Sequence, residues 1–83
     1  MEASYNYIIG QRVRELRQEK NITQYELATR LHCSISLVAM LESGKISPYI
    51  STLSELSEIF DTSIYYLIGL TDETYRWPPK LAE

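Results

Sequence analysis

The one histidine and the one cysteine of this 83-residue chain stand side by side, as His32 and Cys33. Either can ligate a metal or take part in nucleophilic chemistry, but neither has company. A structural zinc site draws four ligands, usually from two separated clusters, and no second cluster exists here. An active site would need partners around such a pair, and no coherent acid pair accompanies it. No metal, no cofactor and no catalytic residue is therefore expected, and Cys33 reads as a small buried residue of a turn. Thr23 and Glu26 carry a different, local chemistry. At three residues' spacing each side chain can satisfy the other's backbone amide, the capping box that opens a helix.

Composition narrows the class. Eighty-three residues make one domain with a modest core and little room for a deep substrate cleft. Hydrophobic residues at 45% and charged residues at 23% describe an ordinary globular chain, and three glycines with three prolines leave room for long helices. A single cysteine forms no intrachain disulfide, which fits a reducing compartment. No apolar run reaches the length of a membrane span, and the start Met1-Glu2-Ala3-Ser4-Tyr5 lacks the basic flank and apolar stretch of a signal peptide. A cytoplasmic protein away from any membrane is expected. The net charge of −3 is uneven: residues 1–41 hold five bases and four acids, residues 42–83 three bases and seven acids. The first half is the better face for an anion.

The elements that must position these residues are helices. Residues 1–7 read as a loose arm. Ile9, Val13 and Leu16 recur at helical spacing and predict a helix over about 8–20. Asn21 and Ile22 interrupt it. The Thr23 box opens a second helix, about 24–31, with Leu27, Ala28 and Leu31 inward. After the tight connection Leu31-His32-Cys33-Ser34, Ser34 caps a third helix, about 35–43, with Val38 and Leu41 inward and Gly44 as its stop. Gly44-Lys45-Ile46-Ser47-Pro48 is a loop, and Pro48 favours an extended Ser47 with a new helix soon after. Leu53, Leu56, Ile59 and Phe60 mark a fourth helix, about 50–60. Ser63 caps a fifth, about 64–69, lined by Ile64, Leu67 and Ile68 and closed by Gly69. Residues 71–83, with Arg76, Trp77, Pro78 and Pro79, read as a tail. The fold class is all-α with five helices, the second and third joined by a tight turn.

Four segments in this order and spacing resemble the lambda-repressor-like, Cro-type helix-turn-helix regulators. They are Gly10 to Lys20 (GQRVRELRQEK), Ile22 to Ala28 (ITQYELA), Leu41 to Lys45 (LESGK) followed by Pro48, and Tyr66 to Asp72 (YLIGLTD), the last similar to phage-type repressors. The resemblance covers residues 9 to about 72. It implies a compact five-helix DNA-binding domain that acts as a transcriptional regulator, as a homodimer on double-stranded DNA. Ala28 must then be small because the third helix crosses close over the second, with Val38 as packing partner.

Site residues follow from the same resemblance. Gln24 would contact a phosphate beside the amides of its helix start. Ser43 and Lys45 lie where the family touches the DNA backbone, and Arg12 and Tyr49 are further phosphate candidates. Arg17 and Glu42 match an internal ion pair tying the first helix to the third. Ser34, Ile35, Ser36, Leu37, Ala39 and Met40 would face the major groove. Bases are usually read by Arg, Asn or Gln, whose paired hydrogen bonds fit base edges, and none stands here. Ser34 and Ser36 offer single bonds; Ile35, Leu37 and Met40 can touch thymine methyls or fill space. His32 replaces the glycine usual at this turn and is expected in a left-handed conformation. Tyr65, Tyr66 and Leu70 are expected at a dimer seam, and Tyr5 and Tyr7 to pack on the domain.

Two functions compete. The first is a sequence-specific regulator, by expectation a repressor, working through residues 24–43. The second is a protein-interaction module or antirepressor on the same fold, with a protein partner on the apolar face of the third helix.

Overall fold

The computed structural model describes residues 2–74, with side chains from Tyr5 onward. Five helices make up its regular structure: α1 Glu2–Glu19, α2 Gln24–Leu31, α3 Ile35–Glu42, α4 Ile50–Phe60 and α5 Ile64–Leu67. Each contributes its apolar stripe to one core. Val13 of α1, Leu27 of α2, Leu56 of α4 and Leu67 of α5 are wholly buried, and Val38 and Leu41 complete the core from α3. α1 packs against α3, α4 and α5, and α2 packs against α3 and α4. Burial of these side chains, at about 1.5–3 kcal/mol each, is the main force that orients α2 and α3.

Three hydroxyls start three helices. Thr23, Ser34 and Ser63 accept from the amides of Glu26, Leu37 and Tyr66 at 3.0, 3.0 and 2.9 Å. The Thr23 amide in turn donates to Glu26 Oε1 at 2.8 Å, which completes the capping box. His32 ends α2 at φ +57°, and its amide, with that of Cys33, closes the last carbonyls of the helix. Gly44 stops α3 at φ +79°, with the Lys45 amide donating to Met40 O at 3.0 Å.

Both ends of the domain differ from the sequence expectation. Residues 2–7 form the first turns of α1 rather than a loose arm. No proline or glycine interrupts this stretch before Gly10, and the loop after α3 holds it. The Ser47 hydroxyl donates to Asn6 Oδ1 at 2.7 Å, and a Cβ on Gly44 would lie 3.1 Å from the Tyr7 Cα. Residues 71–74 are docked rather than free. Arg12 donates to Thr71 O at 2.7 Å, and the buried Thr62 hydroxyl donates to Thr74 O. The last helix is shorter than expected and ends at Leu67. Arg76, Trp77, Pro78 and Pro79 lie outside the described residues.

Candidate nucleic-acid interface

The site is built around one buried carboxylate. Glu42, at the end of α3, has a fully buried side chain. Arg17 of α1 donates to it twice, from Nε at 2.6 Å and from Nη2 at 3.1 Å, and the remaining Arg17 nitrogen donates to Ile22 O at 2.9 Å. Gln24 donates its side-chain amide to Glu42 Oε1 at 3.0 Å, and Arg14 Nε stands 3.6 Å from the same oxygen. Three helices are thus locked at one point. A carboxylate so placed needs its partners, because the loss of one leaves a buried charge uncompensated.

This lock orients the start of α2. Gln24 has given one amide hydrogen to Glu42 and keeps the other, together with its carbonyl oxygen. The backbone amides of Gln24 and Tyr25 lie in the first turn, where no intrahelical acceptor exists. One free side-chain N–H, two helix-start amides and the positive end of the helix dipole thus converge at one corner, an arrangement of donors with the chemistry to meet an anion.

α3 presents the other part of the surface. Ile35, Leu37 and Met40 are 45%, 40% and 38% exposed, and Ser34, Ser36 and Ala39 are exposed with them. All six groove-facing candidates therefore stand at the surface, Ile35 included. Leu37 also lines a cleft of about 100 Å³ that reaches to Ile46 and Tyr49. Ser43 and Lys45 follow at the exposed end of α3. The Ser43 hydroxyl donates to Met40 O at 3.1 Å. Tyr49 is exposed at the start of α4.

Charge separates this surface from the rest. Between residues 27 and 54 the only carboxylate is Glu42, which is buried and paired, while Arg30 and Lys45 are exposed. α3 and its flanking loop therefore expose no carboxylate of their own, while Glu26 on α2 and Glu55 on α4, the latter near enough to raise the Cys33 pKa, stand exposed at the margins.

Two sequence expectations need correction. Arg12 is not available to a phosphate. Its guanidinium donates to the carbonyl oxygens of Tyr66 and Thr71 at 2.6 and 2.7 Å, meets Asp72 at 3.1 Å and lies 4.1 Å from the centre of the Tyr66 ring. Tyr66 is correspondingly not a free seam residue: it is half-buried against the core and under Arg12. Tyr65 and Leu70 remain, 65% and 63% exposed. Tyr25, exposed beside Gln24, and Arg14, next to Glu42, stand at the candidate interface without having been expected there. Their signals were weak but present. Tyr25 is the second residue of a capped helix, and Arg14 stands one turn before Arg17 on α1.

Cys33 is partly buried, and removal from water pushes its thiol pKa upward, so it lacks the character of a reactive thiolate. Among the described residues, no group of three or more His, Cys, Asp or Glu side chains converges as a metal site would require. No helix of the described residues is long and apolar enough to cross a membrane.

Two helices joined by a tight turn, the first presenting its amino end and the second its outward face, define a helix-turn-helix DNA-binding domain. The Helix-turn-helix family model matches residues 13–67, and the chain belongs to that family. It is 36% identical over 81% of its length to an uncharacterized HTH-type transcriptional regulator of Sinorhizobium fredii, spanning 87% of that protein. It is 30% identical over 74% of its length to the immunity repressor protein of Bacillus phage phi105, and 32% identical over 81% to the transcriptional regulator SinR of Bacillus licheniformis. It spans 42% and 61% of those two proteins. In fold it matches the crystal structure of an HTH_3 family transcriptional regulator from Vibrio cholerae, with a TM-score of 0.71 at 19% identity, over 81% of this chain and 38% of that one. The family and these relatives are DNA-binding transcriptional regulators, not enzymes.

Proposed function

We propose that the chain binds operator DNA sequence-specifically as a homodimer in the cytoplasm and represses transcription by occupying its site. The observation that carries this reading is the exposed face of α3, followed by Lys45, within residues 27–54, whose sole carboxylate is buried. α3 enters the major groove, with Ser34, Ile35, Ser36, Leu37, Ala39 and Met40 toward the bases. Gln24, Ser43, Lys45 and Tyr49 hold the phosphates on either side. Tyr65 and Leu70 form the seam of the dimer, which sets two copies of α3 about 34 Å apart, one turn of the duplex. The likeness to a phage immunity repressor supports repression.

A second reading has its own observation. Ile35, Leu37 and Met40 lie beside an apolar cleft, and exposed apolar patches often mark protein interfaces. Salt dependence separates the two. Phosphate contacts release counterions, so DNA affinity falls with salt at a log–log slope of about 0.9 per contact, whereas an apolar protein interface barely responds. The test is binding of the full chain to a duplex from its own upstream region and to a scrambled duplex, each at low and moderate salt. Preference for the upstream duplex, weakened by salt and lost in Gln24→Ala with Lys45→Ala, is expected. Equal or absent binding to both duplexes overturns sequence-specific recognition by this chain alone.

A further inference from the structure

The reading helix is short of hydrogen-bonding power, and that shortage defines what it can read. Residues advance by about 100° each around a helix. Val38 and Leu41 point into the core, so the opposite direction falls on Ser36, Ala39, Met40 and Ser43. Ile35 and Leu37 lie to the two sides, Leu37 over the cleft toward Tyr49. Of the hydroxyls at this face, Ser43 already donates to Met40 O at 3.1 Å, and Ser34 accepts from the Leu37 amide at 3.0 Å. Ser36 alone among them, within the described residues, has no protein partner. A single hydroxyl does not distinguish base pairs as a paired donor and acceptor does. What remains at the centre of the strip is a methyl group and a thioether chain.

We infer that α3 discriminates bases through the C5-methyl groups of thymine, with Ala39 and Met40 as the specificity-determining residues and Ser36 as a single polar contact. The inference rests on the DNA-binding reading above and names the feature of the duplex that is recognised. Three observations lead from the apolar strip to a DNA groove rather than to a protein. Residues 27–54 expose no carboxylate of their own, so α3 and its flanking loops set no like charge against a polyanion. Groups suited to phosphates stand at the Glu42 end of the strip, Gln24 held against Glu42 and Lys45 exposed beyond Gly44. Ser36 stands among the apolar side chains of this face, so a base edge can be desolvated there while one hydroxyl still reaches a polar atom.

The size of the side chains fits that task. Ala39 keeps the helix backbone close to the base edges, since it adds only a methyl. Met40 is unbranched and polarizable and adapts its three rotatable bonds to a methyl group. In the major groove thymine is the one base that presents a methyl, opposite an adenine that offers N6–H and N7. Removing one buried methyl costs roughly fourfold in affinity.

The experiment uses the full chain and a random-sequence duplex library. Rounds of selection yield the preferred duplex, which is then synthesised with deoxyuridine replacing thymine at one position at a time. Uracil pairs as thymine does and lacks only the methyl. Selection of A·T pairs beneath α3 is expected, with roughly fourfold weaker binding at each methyl that is read. Met40→Ala, at an exposed position that leaves the core intact, is expected to bind the thymine and uracil forms equally at one of those positions. Unchanged binding of every uracil-substituted duplex, or selection of G·C pairs beneath α3, overturns the methyl reading and leaves the regulator reading standing. If no duplex is enriched and the chain shows no salt-dependent binding to DNA, both readings fall and the strip belongs to a protein partner.

Discussion

Arg12 holds its guanidinium 4.1 Å from the centre of the Tyr66 ring while donating to the Tyr66 carbonyl oxygen at 2.6 Å. The same group reaches Thr71 O, so one α1 side chain fastens α5 and the segment after it. The Asp72 contact adds little, because that carboxylate is in water. Arg12→Ala leaves two part-buried carbonyls without a donor and removes the stack on the ring. A loss of about 2–3 kcal/mol in urea unfolding is expected. The salt slope of DNA binding should stay unchanged in this variant, whereas Lys45→Ala should reduce it by about 0.9. A reduced slope in Arg12→Ala would return this residue to the phosphate-binding set.

Gly10 sits where α1 crosses the end of α3. A Cβ there would fall 2.5 Å from Leu41 O and 2.6 Å from Glu42 O. Those are backbone atoms and cannot rotate aside, so the two helices would have to separate. Alanine favours an isolated helix over glycine by about 1 kcal/mol, but overpacking of a tight contact costs about 1–3 kcal/mol. Separation of α1 from α3 also strains the Arg17–Glu42 contact. Gly10→Ala is expected to destabilise by about 2 kcal/mol; a gain in thermal stability would show that the crossing yields easily.

Glu42 gives two contrasting predictions from one carboxylate. Glu42→Gln keeps the shape but leaves Arg17, itself mostly buried, facing a neutral amide. A loss of about 3 kcal/mol is expected, at the lower end of what breaking a buried pair costs, since the amide oxygen still accepts one bond. Arg14→Ala removes a more distant and largely exposed partner. Its effect on stability should lie within about 0.5 kcal/mol. Chemical denaturation of both variants checks the ranking, and equal losses would mean that the carboxylate is shared rather than owned by Arg17.

The interior of the fold was legible because it is periodic. Ile9, Val13 and Leu16 repeat at helical spacing, and their burial follows from that repeat. Thr23, Ser34 and Ser63 act within three residues of themselves, so their capping role is local and visible in the sequence. The left-handed His32 was expected from the family resemblance, which implies a glycine-like backbone at this turn, and its φ is +57°. What escaped the sequence joins distant segments. Asn6 and Ser47 are 41 residues apart, and Arg12 and Tyr66 are 54 apart. Such contacts leave no local period. The helical start of α1, the docking of residues 71–74 and the engagement of Arg12 therefore had to be seen in three dimensions.

His32 offers a stabilising change. Its φ of +57° is a conformation in which a Cβ crowds the following carbonyl, at a cost of about 1–2 kcal/mol. Glycine removes that crowding but loses about 0.5–1 kcal/mol through its freer unfolded chain. His32→Gly is expected to stabilise by about 0.5 kcal/mol, read as a small rise in the thermal midpoint. A fall in the midpoint would mean that the imidazole makes a contact worth more than the strain.

Glu26 ties stability to pH through the capping box. The Thr23 backbone amide, donating to Glu26 Oε1 at 2.8 Å, holds this carboxyl below its ordinary pKa of 4.5, helped by the Thr23 side chain and the Arg30 charge. The folded value lies below the unfolded one, so the ionised carboxylate stabilises the fold above pH 4.5. That contribution is lost as pH falls through the lowered folded value. The thermal midpoint of the wild-type chain should therefore decline on acidification through this range, and that of Glu26→Gln should decline less. The fully exposed position makes the difference small, and it should shrink further with added salt. Identical acid profiles for the two chains would show that the box closes equally well with a neutral partner, leaving the hydrogen bond rather than the charge as what opens α2.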